Sequence, residues 1–197
     1  MTPADPRGPL PPDCAVAFKE WYGICEALET GRQTFLIRKG GIAEGPGGFR
    51  PEHPDFWLFP TYVHQAQQGL KESAARGEDP DESSVTLKSL ARVTLVERVD
   101  DPRVLDRLDD LHQWTAETIE ARFRYKTPGV WVLGVRVYTL RQPHVLPQTP
   151  EYAGCKSWVP LGQTLPTEGL TPVADDETFA RSLDRLRSRL RVDSAEA

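Results

Sequence analysis

From Trp131 to Tyr138 the chain alternates strictly, with Trp131, Leu133, Val135 and Val137 on one parity and Val132, Gly134, Arg136 and Tyr138 on the other. Successive side chains of an extended strand point to opposite faces, so this run requires a β-strand and rules out an all-helical fold. Val85 to Val99 carries a second such pattern, with Ala91, Val93 and Leu95 set against Arg92, Thr94 and Arg98. Thr34–Ile37 and Phe56–Phe59 are short apolar runs rich in aromatic and β-branched residues, which read as buried strands. Ser157–Val159 reads as one more. Helical patterns fall between these strands without the regular alternation of a doubly wound sheet. The expected fold is α+β: a mixed or antiparallel sheet or a partial barrel with packed helices.

Four helical patterns accompany the strands. Asp13 has the form of an N-cap, and Phe18, Trp21, Tyr22, Cys25 and Leu28 follow at helical spacing until Gly31, where a left-handed cap belongs. Residues 61 to 76 have helical character. Asp101-Pro102 opens a long central helix whose apolar face is Leu105, Leu108, Leu111, Thr115, Ile119 and Phe123. Asp175 caps a last helix with Phe179, Leu183, Leu186 and Leu190 on one side and Arg181, Arg185, Arg189 and Arg191 on the other. Residues 1–12 contain Pro3, Pro6, Pro9, Pro11 and Pro12 and read as a disordered, mobile tail. That leaves 13–197 as a single globular domain, a size at which one core suffices.

Charge and composition narrow the function classes. The net charge of −5 gives no global attraction to nucleic acid or anionic membrane. Cations nevertheless gather between Glu120 and Pro160, where Arg122, Arg124, Lys126, Arg136, Arg141 and Lys156 face only two acids. Of the chain's 24 cations 18 are Arg, which suits planar phosphate or carboxylate contacts, although a compositional bias of the genome gives the same count. Cys14, Cys25 and Cys155 are widely spaced, so no C-x-x-C motif exists; the four histidines show no metal-binding spacing, and no metal site is expected. With no long apolar run and no basic-then-apolar start, the chain reads as a soluble cytoplasmic domain. None of the six lysines has Asp or Glu two positions before it, as a two-carboxylate nuclease strand requires. Phosphate-loop and G-x-S-x-G patterns are also missing.

Three segments together resemble a known family, the domain-of-unknown-function family 1802 of bacteria and archaea. They are Phe18–Trp21 with Ala27–Thr34 and Leu36–Ile42; Phe56–Tyr62 with His64-Gln65; and Tyr152 with Gly154–Val159. The resemblance spans most of residues 18–160 and implies membership without implying a reaction. A weaker, fold-level resemblance is to ASCH-type domains, small PUA-like barrels associated with RNA or modified bases. Their opening reads roughly G-x-K-T-x-E-x-R, and Gly31–Arg38 follows it except that Gln33 stands for the Lys and Leu36 for the Glu. Those departures speak against the hydrolytic chemistry of that group and leave a binding role open. Ala91–Val99 and Val135–Leu140 with Pro143 are similar to barrel strands of the related EVE domains.

The candidate ligand-binding residues sit at strand ends. Arg38-Lys39-Gly40-Gly41 puts two cations beside backbone that glycine opens to close approach, a possible phosphate nest; an ordinary glycine turn has the same residues. Tyr62, His64 and Gln65 could stack on a base and read its edge, with His64 as a candidate general base. In the last segment, strand alternation places Cys155 with Ser157 and Lys156 with Trp158. Lys156, Trp158 and Tyr152 then supply phosphate and base contacts, and Cys155 reads as packing. The leading expectation is a module that binds RNA, single-stranded DNA or a nucleotide, with no cofactor indicated. The alternative is a metal-assisted phosphodiesterase or nucleotide-derivative hydrolase, with His64 as base, Arg38 and Lys39 on phosphate, and Glu26 or Glu44 on metal. In either case the three segments should line one concave surface.

Overall fold

The computed structural model describes residues 2–39, 51–62, 69–72, 83–154 and 156–191. Gly40, Gly41, Glu44, His64, Gln65 and Cys155, with most of the helical pattern over 61–76, lie outside the described residues.

Among the described residues, seven strands form one sheet: β1 (Asp13–Trp21), β2 (Phe35–Arg38), β3 (Asp55–Thr61), β4 (Ser84–Val99), β5 (Val130–Pro147), β6 (Trp158–Pro166) and β7 (Thr171–Pro172). Their order is β2-β5-β4-β3-β1-β6, with β7 pairing the far part of β5. β1 and β3 run parallel and the other pairs antiparallel, so the sheet is mixed. The described residues include four α-helices that pack on it: α1 (Tyr22–Glu29), α2 (Pro102–Asp106), α3 (Ala116–Arg124) and α4 (Asp176–Leu190). The fold is α+β, and the sheet does not close into a barrel.

Both faces of the sheet are covered, and the sequence of β3 shows why. Phe56 and Leu58 enter the core shared with the helices, whereas Trp57 and Phe59 enter a second core with Leu87, Leu90, Tyr152 and Val159. A strand buried on both sides needs a continuous apolar run, which Phe56–Phe59 supplies. β4 and β5 form the long central pair. Their register shifts between Val93 and Leu95, where Thr94 is the extra residue and its hydroxyl donates to the Gly134 carbonyl at 3.2 Å. Such bulges bend and twist a ladder.

Gly134 faces Leu95 at this bulge and Phe35 on β2. A Cβ there would lie 2.8 Å from Leu95 Cβ and 3.4 Å from Leu183 and Leu186 of α4. Gly134→Ala is therefore expected to cost about 1–3 kcal/mol through overpacking. Urea unfolding would measure it, and an unchanged midpoint would refute the close approach.

Three expectations from sequence need correction. The helical pattern from Asp13 begins as strand β1, and only its second half is helix α1. Ala17 packs in one core and Phe18 in the other, so β1 has apolar residues on both parities and its spacing imitates a helix. Hydrogen bonding to β3 on one side and β6 on the other decides the matter. Gly31 does hold the left-handed conformation after α1, with φ +72°.

The long central helix is also two short ones. α2, with Asp101 as N-cap, is followed by a single 3-10 turn at Asp109–Leu111, and the chain is then extended through Trp114. Trp114 is fully buried, and the backbone around it bonds to residues 69–71, Lys71 N to Gln113 O at 2.7 Å and Thr115 N to Gly69 O at 2.8 Å. Those bonds replace the helical ones, and Thr115 restarts the helix by capping α3.

The proline-rich N-terminal segment, finally, is not a free tail. Arg92 of β4 donates to the carbonyls of Gly8 (2.6 Å) and Pro9 (2.9 Å), and Arg136 of β5 donates to that of Pro6 (2.8 Å). Thr167 N binds the Pro12 carbonyl, and Ala4 N binds that of Val93. Proline offers carbonyls without a donor of its own, and the two buried arginines supply the missing donors. The C-terminal helix α4 stands where the sequence places it, capped by Asp175.

Candidate functional site

The described parts of the three segments meet around Glu20, the penultimate residue of β1. Strand parity puts Glu20 on the same side as Phe18, so its carboxylate emerges at the end of the inner core, where its side chain is 0% exposed. Trp21 N donates to Glu20 Oε1 at 2.8 Å, and Thr61 Oγ1, from the end of β3, donates to the Glu20 carbonyl at 3.1 Å. Arg38, the last residue of β2, donates from Nη1 to Glu20 Oε2 at 3.5 Å and from Nη2 to Ser157 Oγ at 2.5 Å. Its guanidinium lies over the Phe18 ring, 4.6 Å from the centroid.

Arg38 belongs to one edge strand, and Ser157 directly precedes the other. Their bond shows that the sheet curls far enough for its two edges to approach at this point.

A second guanidinium stands behind the first. Arg122 of α3 is held between the indole faces of Trp21 and Trp114, at 4.6 and 4.9 Å, and donates to the Ile37 carbonyl at 3.1 Å. Burial pushes its pKa down to about 10, with Arg38 adding to the fall and Glu20 opposing it. The site thus brings two guanidiniums together with one carboxyl group, a formal surplus of positive charge in a partly dry, aromatic setting. Arg38 Nε is buried without a hydrogen-bond partner, while 19% of the Arg38 side chain meets solvent. Chemically, this arrangement suits a planar or phosphorylated anion.

Most of the described cations and aromatics expected at the site also have partners within the protein. Lys39 Nζ donates to the carbonyls of Phe123 (3.1 Å), Gly129 (2.6 Å) and Thr127, closing the C-terminal end of α3; burial lowers its pKa. Lys156 Nζ donates to the Glu151 carbonyl at 2.5 Å. Tyr152 is buried in the outer core, its hydroxyl bonded to the Leu161 carbonyl at 3.0 Å. Trp158 is half-buried and packs edge-on against Phe18, Phe56 and His53. Tyr62 is half-buried and stacks on Tyr22 with centroids 5.0 Å apart. For the hydrolase alternative, the described candidate Glu26 pairs with Arg32 at 3.5 Å.

Glu20, Thr61, Arg122 and Ser157 were missed as site residues. Glu20 carried a signal, an acid on the same strand parity as the apolar Val16 and Phe18, but the helical reading hid that parity. Arg122 was visible only as one of the cations between Glu120 and Pro160, since the partners that place it come from β1, β2 and the extended segment before α3.

A family model described as a domain of unknown function, DUF1802, matches residues 17–185. The chain belongs to this family. The DUF1802 match includes Glu20, Arg38, Arg122 and Ser157 and ends within α4. No curated protein matches the sequence. Among solved structures, ASCH from Zymomonas mobilis is similar at 12% identity with a TM-score of 0.42, over 86% of this chain and 92% of that one. A serine-to-alanine variant of the same protein gives a TM-score of 0.40, over 86% of this chain and 94% of that one, again at 12% identity. The two positions at which this DUF1802 chain departs from the ASCH opening are structural here. Leu36 is fully buried, and Gln33 donates to the Phe35 carbonyl at 2.7 Å while accepting from Gln113 N at 3.0 Å.

Proposed function

We propose that this DUF1802 domain is a binding module for a nucleotide or for single-stranded nucleic acid, with Arg38 as its principal anion contact. The observation that carries this reading is the pairing of two guanidiniums with one buried carboxylate among aromatic side chains. A phosphate would neutralise the surplus charge, and the rings of Trp158, Tyr62 and Tyr22 offer surfaces for a base. Glu20 and Ser157 fix the Arg38 guanidinium beforehand, which limits the side-chain entropy lost on binding.

Trp21 and Trp158 flank the site, so intrinsic fluorescence reports on it. Titration with the four nucleoside 5′-monophosphates and with short RNA at 20 mM KCl is expected to give saturable quenching. Arg38→Gln should weaken binding at least tenfold, on the order of 1.4 kcal/mol or more, with an unchanged circular dichroism spectrum. Absence of binding at that low salt would defeat the proposal.

A further inference from the structure

We infer that the turn closing α3 is a second contact for a single strand of nucleic acid. Tyr125 stacks an unpaired base of the strand that Arg38 holds by phosphate, and Lys126 meets a neighbouring phosphate. The inference rests on the nucleotide reading above and selects single-stranded nucleic acid from it.

α3 ends at Arg124, and Tyr125 is already extended, with φ −60° and ψ 122°. Tyr125 is 43% exposed; with Val145 it is one of the large apolar side chains that the described part of the fold leaves in solvent. Arg124 and Lys126 on either side of it are exposed as well. An accessible ring between cations is the recurring element of surfaces that hold unpaired bases.

The backbone of Lys126 is an independent observation. Its φ is +56°, which makes it the sole non-glycine in the left-handed region among the described residues. Glycine fills such a position without a Cβ penalty, yet here a long cationic side chain fills it. Strain of this kind points to a use for the side chain that bears it. The Lys126 ammonium lies 5.3 Å from the centre of the Tyr125 ring, so one turn presents ring and charge together.

The turn is also fixed in advance. Lys39 Nζ ties together the carbonyls of Phe123, Thr127 and Gly129, and Arg98 Nη2 donates to that of Pro128 at 3.0 Å. Gly129 N closes the turn on the Phe123 carbonyl at 3.1 Å. A preformed turn loses little freedom on binding. Its acidic neighbours are Asp100, paired with Arg98, and Glu120, paired with Arg124, both at 2.8 Å. The Arg124–Glu120 pair is exposed and therefore weak, so a phosphate competes with it readily.

Both elements that build the Arg38 site lead to this turn. Lys39 follows Arg38 at the end of β2, and Tyr125 stands about one helical turn beyond Arg122 on α3. The bond from Lys39 to the Phe123 carbonyl joins the two elements. Bases inside a duplex have no free face for the ring, which is why the ligand is a single strand.

Octauridylate and uridine 5′-monophosphate, titrated at 50 mM KCl against the full chain and its variants, test this. Tyr125→Ala should weaken octauridylate roughly five- to 150-fold, the range for one stacked base, and leave the mononucleotide within twofold. Tyr125→Phe keeps the ring and should keep the affinity within twofold. Lys126→Gly should weaken octauridylate about threefold and make the slope of log K against log salt shallower by about 0.7. Because it relieves the strained backbone, its urea midpoint should be no lower than that of the natural protein, an outcome that a merely structural lysine would not give. Arg38→Gln should weaken both ligands.

Octauridylate affinity unchanged in both Tyr125→Ala and Lys126→Gly would overturn the second contact and leave the nucleotide reading standing. Equal losses for the mononucleotide and the octamer in Tyr125→Ala would also overturn it, as would equal affinity for a fully paired RNA hairpin. Failure of either ligand to bind the natural protein would remove the functional reading itself, and this inference with it.

Discussion

Arg92→Leu is expected to lower the unfolding free energy by about 3–5 kcal/mol, the usual cost of breaking a buried ion pair from one side. Arg92 is 4% exposed. It holds Asp55 by two bonds, Nε to Oδ1 at 2.7 Å and Nη2 to Oδ2 at 3.2 Å, and it holds the N-terminal segment through Gly8 and Pro9. Leucine keeps the apolar stem and removes every one of these donors, leaving a half-buried carboxylate and two carbonyls without them. Arg136 faces Arg92 directly across the β4–β5 ladder, so relief of like-charge repulsion offsets part of the loss. Arg92→Lys should recover only a fraction, because a single ammonium cannot serve the carboxylate and the arm at once. Urea unfolding of the two variants checks this. A loss below about 1 kcal/mol in the leucine variant would mean that the arm and Asp55 do not depend on Arg92.

Lowering the pH from 6.5 toward 4 is expected to destabilise the protein through His112. That ring is buried between Phe35 and Trp114, its Nδ1 without a hydrogen-bond partner. Burial holds its pKa near 4 rather than 6.5; Lys71 and Arg122 add to the depression, and Asp109 and the Trp114 backbone oppose it. Between those two values the unfolded chain binds the proton and the folded chain does not, so stability falls as pH falls. The stabilising contribution is complete above pH 6.5 and gone below about 4, a change on the order of 3 kcal/mol. His112→Phe keeps an aromatic ring and removes the titrating group. Its unfolding free energy, followed across the same range, should lie closer to level than that of the natural protein. Parallel curves for the two proteins would refute the role of His112.

How far the sequence carried depended on whether a side chain's environment was local. β5 was readable because alternation over eight residues admits one secondary structure. Both capped helix starts, Asp101-Pro102 and Asp175, were readable because a cap acts on backbone two or three residues away. β1 was not, since its identity comes from two strands 40 and 140 residues further on. The break before α3 was hidden for the same reason: it depends on residues 69–71 and on Gln33. At the site, the convergence of Arg38 with the segments near Thr61 and Ser157 followed from placing polar residues at strand ends. What stayed hidden is that the candidate lysines also have partners within the fold. Lys39 and Lys156 satisfy carbonyls left open at chain turns, a demand that no periodicity or motif records.

The position of β2 at the sheet edge has a consequence during synthesis. Its partner strand is β5, and Phe35, Leu36 and Ile37 become buried only when that strand is in place. Roughly 90 residues separate the two, so at ribosomal rates of about 5–20 residues per second the nascent chain carries an unmated apolar strand for about 5–20 s. β1 and β3 can meet earlier, but their parallel pairing also joins distant residues and forms slowly. The hazardous interval in the life of this protein therefore comes before β5 has left the ribosome, when the tetrapeptide Phe35–Arg38 is open to any other strand edge in the cell.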